Sequence, residues 1–87
     1  MYRVRWTRKA SNQLAAIWTN ATDQNAVTVA SHRIDQALAS DPEHQGEERP
    51  KNRRVMFEPP LVVVYRIDNF SNTVVVSNVG RYGTASS

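Results

Sequence analysis

Two apolar runs in the second half of the chain, residues 61–67 and 74–79, bracket the polar segment Asp68-Asn69-Phe70-Ser71-Asn72-Thr73. Both runs are rich in β-branched residues, which pack well on a pleated surface, and the Asn/Ser-rich segment between them suits a turn. The pattern predicts a hairpin. The first run is apolar at nearly every position, so it belongs at the centre of a sheet, covered on both faces. Its neighbour is the run 52–58, joined to it by Pro59-Pro60, where a ladder cannot continue and a turn is expected. A three-stranded antiparallel meander should therefore fill the second half.

The first half reads differently. Tyr2-Arg3-Val4-Arg5-Trp6 alternates strictly, as a half-buried strand does, with Tyr2, Val4 and Trp6 inward and both arginines outward. Thr7 is a candidate N-cap for a helix whose stripe is Ala10, Leu14, Ile17, Trp18 and Ala21. Thr22 or Asp23 can cap a second helix with the stripe Ala26, Val27, Ala30, Ile34, Ala37 and Leu38, ended by Asp41-Pro42. So short a link predicts an antiparallel helical hairpin. Residues 42–50 read as a polar loop, and the tail 83–87, without an apolar anchor, as frayed. The expected class is α+β in the order β-α-α-β-β-β, an antiparallel sheet with the helical hairpin on one face, forming a single domain over residues 1–82.

Parity sorts the side chains, because alternate strand residues point to opposite faces. With a two-residue turn at Pro59-Pro60, Glu58 pairs with Leu61, Val55 with Val64 and Arg53 with Arg66. Setting Asp68 opposite Thr73 brings Arg66 beside Val75. Met56, Leu61, Val63, Tyr65, Ile67, Val74 and Val76 then form the floor under the helices. The open face is expected to carry Arg49, Lys51, Arg53, Val55, Phe57, Val62, Val64, Arg66, Asp68, Val75, Val79 and Arg81. A one-residue slip would reverse a strand.

Composition narrows the function. The 87 residues contain no cysteine and two histidines, which argues against a disulfide framework, a thiolate nucleophile or a zinc site. The first ten residues lack the apolar stretch of a secretory signal and no run reaches membrane-spanning length, so a cytoplasmic protein without a membrane partner is expected. The net charge of +3 favours an acidic or polyanionic partner. Its distribution says more, since between Ala10 and Glu48 only Arg33 is basic while the sheet half carries Arg49, Lys51, Arg53, Arg54, Arg66 and Arg81. Arginines clustered on a sheet face can be solvated strand residues, or they can offer planar forks to phosphate oxygens. His32 reads as a packed or surface residue, Trp6 and Trp18 as core, and His44 as a proton-transfer candidate only if its loop folds over the sheet. No phosphate-binding glycine loop or serine-nucleophile signature is present, and no cofactor is expected.

Ile17-Trp18 in the first helix, Ile34-Asp35 with Leu38 in the second, Gly46-Glu47-Glu48-Arg49 before a basic strand, PLVVVYRID, and the strand end Arg81-Tyr82 together carry a resemblance. From Tyr2 to Tyr82 the chain resembles the RelE/ParE superfamily of bacterial toxins. The resemblance implies a type II toxin-antitoxin toxin held by a cognate antitoxin, with one of two activities. RelE-like members cut mRNA on the ribosome. For that reading Arg81, Tyr82, Lys51, Arg53 and Glu48 (or Glu47, as base) are the candidate catalytic residues, with Arg49, Arg54 and Arg66 binding nucleic acid. Such cleavage needs a base for the 2′-hydroxyl, cations for the pentavalent phosphate and an acid for the leaving oxygen. ParE-like members instead poison DNA gyrase through protein contacts and need no catalytic set. Two positions depart from the RelE pattern: Val62 stands where an arginine is found, and Gly83 where some relatives carry a histidine. The convergence of cations on one face favours mRNA cleavage, with gyrase poisoning or a non-toxic binding module as the alternatives.

Overall fold

The computed structural model describes residues 1–82; the tail 83–87, with Gly83, lies outside the described residues. The elements are β1 (Arg3–Trp6), α1 (Arg8–Asn20), α2 (Gln24–Ser40), a short 3-10 turn (Pro42–His44), β2 (Glu47–Arg49), β3 (Arg53–Glu58), β4 (Leu61–Asp68) and β5 (Thr73–Arg81). This is the expected strand, helical hairpin and meander, with one addition. Glu47–Arg49, read as loop, is a short edge strand. Three residues without an apolar side chain are too few for any periodicity to announce.

Both helices begin where their caps are. The Thr7 hydroxyl accepts the Ala10 N–H at 3.1 Å and the Asp23 carboxylate accepts that of Ala26 at 3.1 Å, each satisfying an amide with no partner in the first turn. The second helix stops at Asp41, because the following Pro42 disfavours helical backbone in the residue before it. The sheet order is β1-β5-β4-β3-β2. The sheet is mixed and not antiparallel throughout as expected: β1 runs parallel to β5, Val4 beside Val74 and Trp6 beside Val76, because the helical hairpin returns the chain to the far side of the sheet, while the other pairs are antiparallel.

The meander register is the expected one at both turns: Glu58 pairs with Leu61, Val55 with Val64, Arg66 with Val75 and Asp68 with Thr73. It changes once. Val64 pairs with Asn78 but Tyr65 with Val76, leaving Ser77 as an extra residue in β5. Such a bulge inverts the facing of everything beyond it. Val79, expected on the open face, is instead 5% exposed in the core, and Arg81 pairs with Leu61 on the same helix-side face.

The core lies between the helices and the sheet. Ala10 of α1 and Val27, Ala30, Ile34 and Leu38 of α2 meet Met56, Leu61, Val63, Tyr65, Val74, Val76 and Val79. Trp6 is half-buried, its indole N–H donating to the Asp35 carboxylate at 2.7 Å. Trp18 corrects the expectation of a core residue: it is 43% exposed, with its N–H on the Thr28 hydroxyl at 3.2 Å. A residue at the edge of a helical stripe is covered only if a third element reaches it, and none does here.

Candidate functional site

The sheet face away from the helices is open, and the pairing defines what stands on it. Arg5 lies beside Val75, Val75 beside Arg66, and Arg49 beside Arg53. The β3–β4 ladder ends at the Arg54–Tyr65 pair; carrying its register one step further sets Arg53 toward Arg66, and the Arg53 Nε donates to the Pro50 carbonyl at 3.4 Å. The result is one row across all five strands: Arg5, Val75, Arg66, Arg53, Arg49. Four intervals of about 4.8 Å make it about 19 Å long. Arg3, beside Thr73, stands in the next row. Val75 is 5% exposed although it faces away from the helices.

Most of these cations are uncompensated. Arg49 pairs with Glu47 at 3.1 Å, but Arg3, Arg5, Arg53 and Arg66 form no ion pair among the described residues. Like charges such as Arg53 and Arg66 on adjacent strands of one face repel, which ordinarily destabilises a sheet. Toward the other end the same face is apolar. Val55, Val62 and Val64 are half-buried, and the Phe57 and Tyr82 rings meet at 4.5 Å in a tilted contact. The Tyr82 N–H donates to the Pro60 carbonyl at 2.8 Å, fixing the end of β5 against the β3–β4 turn.

The residues singled out from the sequence do not gather at one point. Arg49, Arg53, Arg66 and Tyr82 are on the open face. Glu48, Arg54 and Arg81 are on the helix side, paired with Arg54, Tyr65 and Leu61 respectively. Lys51 is in neither group, because it sits in the β2–β3 turn at φ 65°. Five residue steps along β4, about 17 Å of strand, separate Leu61, the partner of Arg81, from Arg66. Arg81 is therefore not in the field of Arg53 and Arg66, contrary to the sequence-based expectation. The displaced facing comes from the Ser77 bulge, which apolar alternation does not reveal.

Arg54 has a structural task. Its Nε donates to the Gln45 carbonyl at 3.1 Å and the Tyr65 hydroxyl at 3.3 Å. That hydroxyl lies 2.8 Å from the Pro42 carbonyl and 2.7 Å from that of Gln45, tying the 42–46 loop to the sheet. Burial raises the Tyr65 pKa above its ordinary value, against the opposing effect of Arg54. Glu48 shares a cleft of about 300 Å³ with Glu43, Asn52 and Arg54. His44 stays exposed, its Nδ1 2.6 Å from the Asp41 carboxylate, whose hydrogen bond and charge raise its pKa above 6.5. Its loop does not fold over the open face. The described residues contain no group of His, Cys, Asp and Glu able to hold a metal, and no helix long and apolar enough to cross a membrane.

Two contributors to the open face were missed as such, Arg3 and Arg5. Strict alternation marked them as outward, but only the docking of β1 onto β5 assigns them to this face. A second surface lies between the helices, a groove of about 740 Å³ lined by Trp6, Leu14, Ala15, Trp18, Val27 and His32 among others.

The family model of the ParE toxin of type II toxin-antitoxin systems matches residues 4–83. No curated protein matches in sequence. Among solved structures, the toxin-antitoxin complex RelBE2 from Mycobacterium tuberculosis aligns with a TM-score of 0.76 at 22% identity, over 92% of this chain and 90% of that one. The chromosomal ParDE system from P. aeruginosa aligns with a TM-score of 0.67 at 17% identity, over 94% and 97%. The isolated E. coli RelE toxin aligns with a TM-score of 0.67 at 13% identity, over 99% and 89%. At these identities the likeness is one of fold.

Proposed function

The chain belongs to the ParE toxin family of type II toxin-antitoxin systems, and from that premise we propose that it poisons DNA gyrase through protein contacts, as ParE-like toxins do, rather than cutting mRNA. The observation that carries this reading is the separation of Arg81 from Arg53 and Arg66, by about 17 Å of strand and onto the other face. In-line cleavage of a phosphodiester requires base, acid and phosphate-stabilising cations around one phosphorus atom. Among the candidates, Arg54 is held by the 42–46 loop, Lys51 is at a turn apex, and Tyr82 is packed on Phe57. What the open face offers instead is an aromatic and valine zone bordered by arginines, the composition of a protein-binding surface.

The deciving contrast is drawn by Arg81→Ala. A donor that stabilises the transition state typically contributes about 3–4 kcal/mol, two to three decades in rate. If Arg81 held the scissile phosphate, its loss would abolish growth arrest in expressing bacteria. On the gyrase reading arrest persists, primer extension finds uncut transcripts, and purified toxin with gyrase yields broken DNA. Cleaved mRNA in cells expressing the wild-type toxin, with gyrase unaffected, would overturn the reading.

The toxin's partner at rest is a cognate antitoxin. The RelBE2 and ParDE relatives were solved as toxin-antitoxin complexes or systems, and the groove between α1 and α2 offers an amphipathic helix an apolar bed with the exposed Trp18 at its side. Trp18→Glu should weaken the antitoxin complex while leaving toxicity, measured by calorimetric titration and by loss of rescue on co-expression. Rescue undiminished by that charge would remove the groove from the interface.

A further inference from the structure

The arginine row invites an anion of a particular shape. Three of its members, Arg5, Arg66 and Arg53, have no carboxylate partner among the described residues, and the register brings Arg53 and Arg66 to neighbouring strands one step past the Arg54–Tyr65 pair. A repulsive pair on an open face is relieved when an anion lies between the guanidinium groups. The row runs across the strands rather than along them. A peptide that adds to a sheet edge follows the strand direction and would meet one arginine of the row at most. A ligand following the whole row must lie across the face, carry regularly spaced negative charge, and need no backbone ladder.

We propose that the row Arg5–Arg66–Arg53–Arg49 grips the phosphodiester backbone of the DNA duplex that gyrase holds, so that the toxin contacts the enzyme and its DNA together. This rests on the gyrase reading and adds a second partner to it. DNA presents a phosphate about every 3.4 Å of axis along each strand, so the 19 Å row spans about five to six of them. Guanidinium forks match phosphate oxygens in geometry as well as charge. The face has no helix to enter a groove, so its contacts are to backbone, and binding is independent of base sequence. The apolar zone of Phe57, Val62 and Tyr82 at the other end of the face remains for the protein. The division explains why one face carries both an arginine row and exposed aromatic rings.

The test uses the 87-residue chain and a fluorescent duplex of about 20 base pairs in the absence of gyrase. A variant with Arg5→Gln, Arg53→Gln and Arg66→Gln is compared with one of equal charge, Arg8→Gln, Lys9→Gln and Arg33→Gln, altered on the helices. Each phosphate contact removed lowers the slope of log affinity against log salt by about 0.9, so the row variant should lose about 2.7 and the helix variant much less. Arg→Lys at the same three positions keeps the charge and should retain most of the slope, while circular dichroism checks that each variant is folded. Equal DNA affinity of the two glutamine variants would overturn the proposal. So would tighter binding of single-stranded RNA, or of poly-glutamate, which would make an RNA or an acidic protein segment the occupant. In the gyrase cleavage assay the row variant should poison less than the helix variant. Undiminished poisoning by the row variant would overturn the DNA contact and spare the gyrase reading. DNA binding through the row by a wild-type toxin that leaves gyrase untouched would support the row as a DNA site and remove gyrase as its context.

Discussion

Replacing Gly46 with alanine should be the most damaging exposed substitution in this chain. Gly46 opens β2 at φ +65°, the left-handed region, which costs a residue with a Cβ about 1–2 kcal/mol. Space is the harder constraint. A Cβ there would overlap the Val55 carbonyl oxygen and lie 2.7 Å from its carbon and 3.0 Å from the Met56 Cα, all backbone atoms that cannot rotate away. The clash has one cheap escape, because β2 is a three-residue edge strand with every residue exposed. Detaching it forfeits its few ladder bonds at about 0.5–1.5 kcal/mol each, and this caps the total at about 2–4 kcal/mol. In a domain of this size that lowers the melting temperature by roughly 10–30 °C. Urea unfolding of Gly46→Ala gives the free energy, and hydrogen exchange should find protection lost at β2 before β4. Gly80→Ala is the control, since its Cβ would meet only the Val62 Cγ1 at an ordinary 3.4 Å. A Gly46→Ala protein within about 0.5 kcal/mol of the wild type, the range of ordinary surface changes, would mean that the Val55 backbone does not confine this position.

Tyr65→Phe removes the hydroxyl that ties Pro42, Gln45 and Arg54 together. Because one hydroxyl proton serves one carbonyl at a time, the loss should be about 1–3 kcal/mol in denaturant unfolding, and no loss would mean that water replaces it. His44 carries a testable pH dependence. Asp41 raises its folded pKa above the unfolded 6.5, so whatever the contact contributes is fully present below 6.5 and disappears as pH rises through the folded value. An NMR titration should find the His44 midpoint raised in the wild type and lowered toward 6.5 by Asp41→Asn. Equal midpoints in the two proteins would show that the carboxylate is not the cause.

Local chemistry determined most of the elements. The Thr7 and Asp23 caps, the Asp41-Pro42 stop, the two apolar stripes and the Pro59-Pro60 turn are short-range features, and short-range sterics and hydrogen bonding govern them. The register of the meander followed for the same reason, because each turn sets the pairing of the residues nearest to it. Three features depended on the whole fold. The docking of β1 on β5 joins residues some seventy positions apart, and it alone brings Arg3 and Arg5 to the face of Arg53 and Arg66. The edge strand β2 exists because β3 offers it a free ladder, not because Glu47, Glu48 and Arg49 prefer extended backbone. The bulge at Ser77 accommodates one extra residue between two correctly paired ends and turns Val79 inward with Arg81 behind it. A parity rule carries an error of one residue to every position beyond it, so residues near the turn were assigned correctly and Arg81, at the far end, was not. Which cations share a surface, and so what that surface can bind, was decided by tertiary structure.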